Sequence, residues 1–196
     1  MKILKILFAL CIFINMLFAV SKDEIKSVVE AKTDEAIKIL TTKELSNEQK
    51  TTQLFVIFDP LFDYKQMAKI SLGKKFNALT PNEQDEFGKA FEQKLKASYI
   101  DKLLSYTDQK IIIKEQTQPQ PNRVFLNSEL ISNANKYEFV YKFYNSNDNW
   151  LIYDIEMIGV SLIQTYRSQF ADMLESADFA TLMKKLNETA PIKVDN

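Results

Sequence analysis

Histidine is absent from this 196-residue chain, and cysteine occurs once, at Cys11. The usual zinc and copper ligand sets and the Ser-His and Cys-His nucleophile pairs are thereby excluded. Glycine is nearly as scarce, with only Gly73, Gly88 and Gly159, so no glycine-rich phosphate loop can be built. Gly159-Val160-Ser161 begins like a nucleophile elbow, but that motif needs a glycine where Ile163 stands. Ser161 is read instead as a helix N-cap. No acidic run has EF-hand spacing. A basic block is missing too: 25 basic residues stand against 26 acidic ones, which argues against a nucleic-acid partner, whose affinity comes mainly from phosphate neutralisation. What remains for catalysis is carboxylates. Asp154 and Glu156 are two apart and share a strand face, and Asp63 is a third acid of interest. They keep open a small carboxylate-dependent enzyme; the plainer reading of Asp154 and Glu156 is a solvated outer face.

The one long apolar run is N-terminal. Lys2 and Lys5 precede an almost unbroken apolar stretch over residues 6–18, and small Ala19 follows. This is the pattern of a secretory leader, residues 1–19, cleaved after Ala19. The run is too short and too one-sidedly flanked for a comfortable membrane span; an anchored N-terminal helix is the other reading. Cys11 lies inside the run, not at its end, and leaves with it. Residues 20–196 then make one exported domain, long enough to bury a core without disulfides.

The first half of that domain reads as helices. Ser21 with Glu24, Ser46 with Gln49 and Thr80 with Glu83 are spaced as capping boxes, and Pro81 suits a first helical position. Asp59-Pro60 ends one helix, Asp63 caps the next, and Gly73 closes it. Phe87, Phe91, Leu95, Tyr99 and Leu103 step by fours along a long helix, an aromatic stripe that serves either a plain core or a ligand wall. After Tyr106 the chain turns to strands. Residues 109–116 and 123–131 are β-rich, with 117–122 a loop because two prolines do not sit inside a paired strand. Two alternating strands follow around a polar turn at 145–149, and the chain returns to helix after Gly159. The fold expected is α+β: a meander of about four antiparallel strands with helices before and after it. Phe139, Tyr141, Phe143, Leu151, Tyr153, Ile155 and Met157 are predicted to share one face of it. Tyrosines there suit a cavity mouth, since a buried hydroxyl needs a partner.

Residues 62–99 resemble the core signature of the MlaC family of periplasmic phospholipid-binding proteins, also called toluene-tolerance auxiliary proteins. The matching residues are Phe62-Asp63-Tyr64, Met67-Ala68, Leu72-Gly73, Phe76, Thr80, Gln84, Phe87, Phe91, Leu95 and Tyr99. Trp150, Tyr153-Asp154, Gly159-Val160-Ser161-Leu162, Tyr166-Arg167 and Phe170 continue the pattern in order and spacing. Phe76 departs from the family, which often has tryptophan there. The resemblance implies helices and sheet enclosing a deep apolar cavity for phospholipid acyl chains. It implies a soluble periplasmic shuttle between an outer-membrane lipoprotein complex and an inner-membrane ABC transporter complex, which helps to maintain the lipid asymmetry of the outer membrane. Phospholipid is then cargo, and no cofactor is expected.

On both grounds the candidate lipid-binding residues are Phe76, Phe91, Tyr99 and Leu103 from the helices, the seven hairpin residues named above, and Val160, Ile163 and Tyr166 from the segment after Gly159. Arg167 is expected to pair with a carboxylate such as Asp154, the other reading being a phosphate at the mouth. Lys74 and Lys75 are expected near the mouth as a docking pair. Besides the carrier and the enzyme, a periplasmic adaptor or chaperone offering an apolar groove to peptides stays open.

Overall fold

The computed structural model describes residues 19–176 and 178–188. The expected leader therefore lies outside the described residues, apart from Ala19. Six α-helices are described: α1 (Ile25–Thr41), α2 (Asn47–Phe58), α3 (Tyr64–Leu72), α4 (Pro81–Leu104), α5 (Leu162–Ser176) and α6 (Phe179–Asn187). Between α4 and α5 run β1 (Lys110–Gln120), β2 (Arg123–Ser132), β3 (Asn135–Ser146), β4 (Asn149–Met157) and the two-residue β5 (Val160–Ser161). The helix starts follow their caps. Ser46 and Thr80 form capping boxes, and Asp63 accepts from the Gln66 amide at 2.8 Å. Gly73 ends α3 at φ +60°, where a side chain would also stand against the Arg167 guanidinium, 3.4 Å from its Nε.

The sheet is an open antiparallel meander in the order β1-β2-β3-β4-β5. Three departures from the expected strands have physical reasons. β1 continues through Thr117 and Pro119 to Gln120, because an edge strand tolerates a residue with no N–H to donate. β5 is a fifth strand, too short to leave a periodicity. The third is a register shift in the β3–β4 pair: Tyr141 faces Ile155 and Lys142 faces Asp154, but Phe143 faces Ile152, which leaves Tyr153 as the extra residue of a bulge.

Three apolar clusters hold the domain. Met67, Phe76, Phe87, Phe91, Ile163, Tyr166, Phe170 and Leu182 join α3 to α6. Ile25 and Val29 of α1 pack on Val124, Leu126, Phe143, Trp150 and Ile152 of the sheet. Ala36, Ile39, Leu54 and Ile57 join α1 to α2, with Ile100 of α4 against them. Val20 is tied into the second cluster: its carbonyl accepts from the Trp150 amide at 2.9 Å and its amide donates to Asn149 Oδ1 at 2.9 Å.

The turn into β5 is strained. Ile158 (φ +51°) and Gly159 (φ +76°) both occupy the left-handed region, a two-residue hairpin geometry that favours Asn-Gly. A β-branched residue there is costly, and Ile158 is also 65% exposed. Ile158→Asn is expected to stabilise the protein by about 1 kcal/mol, read as a raised urea midpoint at unchanged slope. A lowered midpoint would show that the isoleucine is held by contacts worth more than the strain.

Candidate functional site: the open end of the inner sheet face

Antiparallel partners share a face, so the register sorts the inner residues, those beneath α1, into rungs. Phe143 stands with Val124 and Ile152; Tyr141 with Leu126 and Ile155; Phe139 with Ser128, Ile113 and Met157; Tyr137 with Leu130 and Ile111. Burial falls after the first rung, although Leu126 of the second and Ser128 of the third stay buried. The first rung is dry, with Phe143 at 0% exposure and Val124 and Ile152 close to it. In the second, Leu126 is buried while Tyr141 and Ile155 keep accessible surface. In the third, Phe139 and Ile113 are half-buried and Met157 is 38% exposed. In the fourth, Ile111, Leu130 and Tyr137 are all half-buried. Ile111, Leu130, Tyr137 and Phe139 belong to none of the three apolar clusters. One end of the inner face is thus core, and the other is an apolar surface that the protein leaves partly uncovered.

Tyr141 stands at the boundary. Burial pushes its phenol pKa above the ordinary tyrosine range, with the Ser128 hydroxyl acting in the opposite direction. It nonetheless keeps accessible surface, beside the fully buried Leu126 of the same rung. On the helical side, burial also pushes the Tyr99 phenol up to about 12. Tyr99 and Leu162 are partly buried against the helical cluster. Leu103, one turn on from Tyr99, is 37% exposed.

The outer face is a polar and aromatic network. Because of the bulge, Leu151 faces Tyr144, and Tyr153 packs edge-on against Tyr144 with ring centres 6.0 Å apart. The Arg123 guanidinium lies 5.0 Å from the Tyr153 ring centre and 5.5 Å from that of Tyr144. The Tyr144 hydroxyl donates to Asp63. Lys142 Nζ sits 2.6 Å from Glu156 and 3.4 Å from Asp154. Asp154, at 5% exposure, is not on a solvated face. Its carboxylate accepts from Ser161 Oγ at 2.7 Å and from the Ile163 amide at 3.1 Å, while Ser161 Oγ accepts from the Gln164 amide at 3.1 Å. These bonds clamp the start of α5 to β4.

The predicted site residues divide accordingly. Phe139, Tyr141, Ile155 and Met157 lie together on the inner face with accessible surface, and Phe143 lies on that face within the dry core. Leu151 and Tyr153 correct the expected face: the bulge puts them with Tyr144, away from Tyr141. Phe76, Phe91, Ile163 and Tyr166 are buried in the helical cluster, where Phe91 packs against Phe87, Tyr166 and Phe170. Tyr99 and Leu103 lie near the end of α4, and Val160 is 54% exposed beside the β4–β5 turn. Ile111, Ile113 and Leu130 were missed; the alternation of β1 and β2 carried the signal, but only the register shows which alternate set faces inward. Arg167 does not pair with Asp154, since Lys142 holds that position; it forms no ion pair among the described residues and lies over Gly73. Lys75 donates to the Leu174 carbonyl at 2.9 Å, and Lys74 is exposed.

Comparison with known proteins places this geometry. The family model described as MlaC protein matches residues 30–188. The chain belongs to the MlaC family. Among curated members it is 24% identical, over 125 residues, to the intermembrane phospholipid transport system binding protein MlaC of Haemophilus influenzae. That match takes in 61% of this chain and 58% of the relative's own length, so the chain spans less than two thirds of it. Among solved structures it resembles the phospholipid-binding protein of Ralstonia solanacearum, determined in complex with a phospholipid. The TM-score is 0.73 at 24% identity, over 84% of this chain and 95% of the other. At that identity the likeness is one of fold: an MlaC-type α+β domain with helices around an open antiparallel sheet.

Proposed function

We propose that the protein is a periplasmic phospholipid carrier whose cargo lays its acyl chains on the open end of the inner sheet face. The observation that carries this reading is the series of rungs, in which apolar side chains under α1 lose their protein cover from Phe143 to Tyr137. Membership of the MlaC family, the names of the two relatives and the apolar leader pattern over residues 1–19 support it. Among the described residues no helix is long and apolar enough to cross a membrane. The carboxylates that kept an enzyme open all have structural partners: Asp63 caps α3, Asp154 holds the start of α5, and Glu156 pairs with Lys142.

Burial energetics shape the mechanism. Two acyl chains carry about 30 methylenes, each costing roughly 0.8 kcal/mol to expose, so release into water would cost on the order of 20 kcal/mol. That approaches the ceiling of non-covalent affinity, and a carrier that released lipid into water would be too slow to function. The recess need only match the bilayer as an apolar solvent. Transfer then happens mouth to mouth, docked first on one membrane complex and then on the other: an outer-membrane lipoprotein complex and an inner-membrane ABC transporter complex, in keeping with the lipid asymmetry of the outer membrane. A head group left in water gives little head-group selectivity. Protein purified from a bacterial periplasm is expected to carry two-chain phospholipid, read by mass spectrometry of an organic extract. Repeated preparations free of lipid would remove the carrier reading.

A further inference from the structure

Cations gather on one surface of the helical layer. Lys65 and Lys69 stand four residues apart on α3, and Gly73, where that helix ends, continues the row by another four. Arg167 of α5 lies over Gly73. Lys74 and Lys75 follow directly, and Lys75 Nζ reaches the Leu174 carbonyl of α5 at 2.9 Å. Lys65, Lys69, Lys74, Lys75 and Arg167 are all exposed. No aspartate or glutamate occurs between Tyr64 and Asn82, or between Met157 and Ala171. Among the described residues none of these cations forms an ion pair. Of the acids around them, Asp85 feels Lys65 but pairs with Lys89 at 2.6 Å. Asp172 comes five residues after Arg167, about 140° round the helix. In a chain with 25 basic and 26 acidic residues, this surface is locally and purely cationic.

Its composition indicates what it meets. The docking core of a protein partner is rich in tyrosine, tryptophan and arginine and poor in lysine. Here all the cations but Arg167 are lysines. The exposed large apolar residues, Val56, Leu103, Met157, Ile158 and Val160, all lie off α3 and α5, so the surface offers no apolar anchor. A lysine ammonium is a hydrated point charge on a flexible stem, which suits a diffuse layer of charged head groups better than one fixed carboxylate. We propose that the α3–α5 surface holds the protein against an anionic phospholipid membrane, with its cations in the head-group layer and no side chain inserted below it. A second copy is disfavoured, because pairing this surface with itself opposes like charges. Binding of this kind is reversible and salt-dependent, each cation contributing about fivefold. None of these residues stands on the open rungs of the sheet, and the proposal does not rest on lipid carriage.

The test uses protein purified from a bacterial periplasm and vesicles of phosphatidylglycerol and phosphatidylcholine in equal parts, with bound protein read by co-sedimentation. At low salt it is expected to bind these vesicles at least about tenfold better than vesicles of phosphatidylcholine alone. It should leave them in about 1 M salt, where charges are screened beyond about 3 Å. Lys65→Gln, Lys69→Gln and Arg167→Gln together, all at exposed positions, should weaken binding about a hundredfold at an unchanged melting temperature. Lys26→Gln, Lys38→Gln and Lys43→Gln remove the same charge from α1 and its C-terminal flank, and should leave binding within about twofold of wild type. Cargo is read separately, from an organic extract, and should not differ among these proteins. Equal binding to both kinds of vesicle, binding that persists in high salt, or equal losses in the two triple variants would each overturn the proposal. So would the absence of any vesicle binding, since the surface would then belong to an acidic protein partner.

Discussion

Ile155→Asp is expected to empty the protein of phospholipid while leaving it folded. Ile155 shares its rung with Tyr141 and Leu126 on the inner face, and it keeps accessible surface although it packs against the sheet cluster. A carboxylate there faces the acyl chains when lipid is bound, and desolvating it costs several kcal/mol, as does any unpaired buried charge. In the empty protein the same carboxylate reaches water in the vacated recess, so folding suffers much less than binding. Several kcal/mol corresponds to a loss of more than a hundredfold in lipid retention. The readout is lipid stoichiometry in an organic extract beside a urea unfolding curve. Tyr153→Ala, two residues away on the outer face, should leave the stoichiometry at the wild-type level. Full lipid occupancy in Ile155→Asp, or loss of lipid in Tyr153→Ala, would assign the wall to the wrong face.

The largest effect on stability is expected at Asp154. This carboxylate accepts from Ser161 Oγ and the Ile163 amide and pairs with Lys142, at 5% exposure. Asp154→Ala leaves the first turn of α5 without its acceptor and strands part of the Lys142 charge. Breaking one side of a buried pair costs about 3–5 kcal/mol, and the lower end applies because Glu156 stays within 2.6 Å of Lys142. A loss of about 3 kcal/mol lowers the melting temperature by roughly 6–12 °C in a domain of this size. Glu156→Gln, at a more exposed position, should cost under about 1 kcal/mol. A smaller loss at Asp154 than at Glu156 would mean that the start of α5 is held by its apolar contacts alone.

Local chemistry made much of the fold legible. Ser46, Asp63 and Thr80 start helices where a side-chain oxygen can satisfy a free amide, an effect confined to four residues and hence visible in a short window. Alternation placed Phe139, Tyr141 and Phe143 on one face for the same reason. Pairing was not legible. A single extra residue at Tyr153 turns Leu151 and Tyr153 to the outer face and brings Ile152 inward; a bulge is set by the partner strand, and the β4 sequence alone carries no mark of it. The edge position of β1, which admits Pro119, depends on the whole sheet order. That Lys142 and not Arg167 pairs with Asp154 follows from the β3–β4 register, which sets Lys142 opposite it. The site was legible to the same degree. Phe139, Tyr141, Ile155 and Met157 follow from alternation; that Phe91 packs within the core while Ile111 and Leu130 stand uncovered follows from tertiary packing.

The claim that acyl chains lie on the open rungs is tested most directly by photo-crosslinking. The protein would be loaded with a phospholipid that carries a diazirine along one acyl chain, irradiated, digested and mapped by mass spectrometry. Label is expected on peptides containing Ile111, Leu130, Tyr137, Phe139, Tyr141 or Ile155, and is expected to be absent from Arg123 and Tyr144. Label concentrated on the outer-face residues Tyr144, Leu151 and Tyr153, with none on Phe139 or Tyr141, would contradict it.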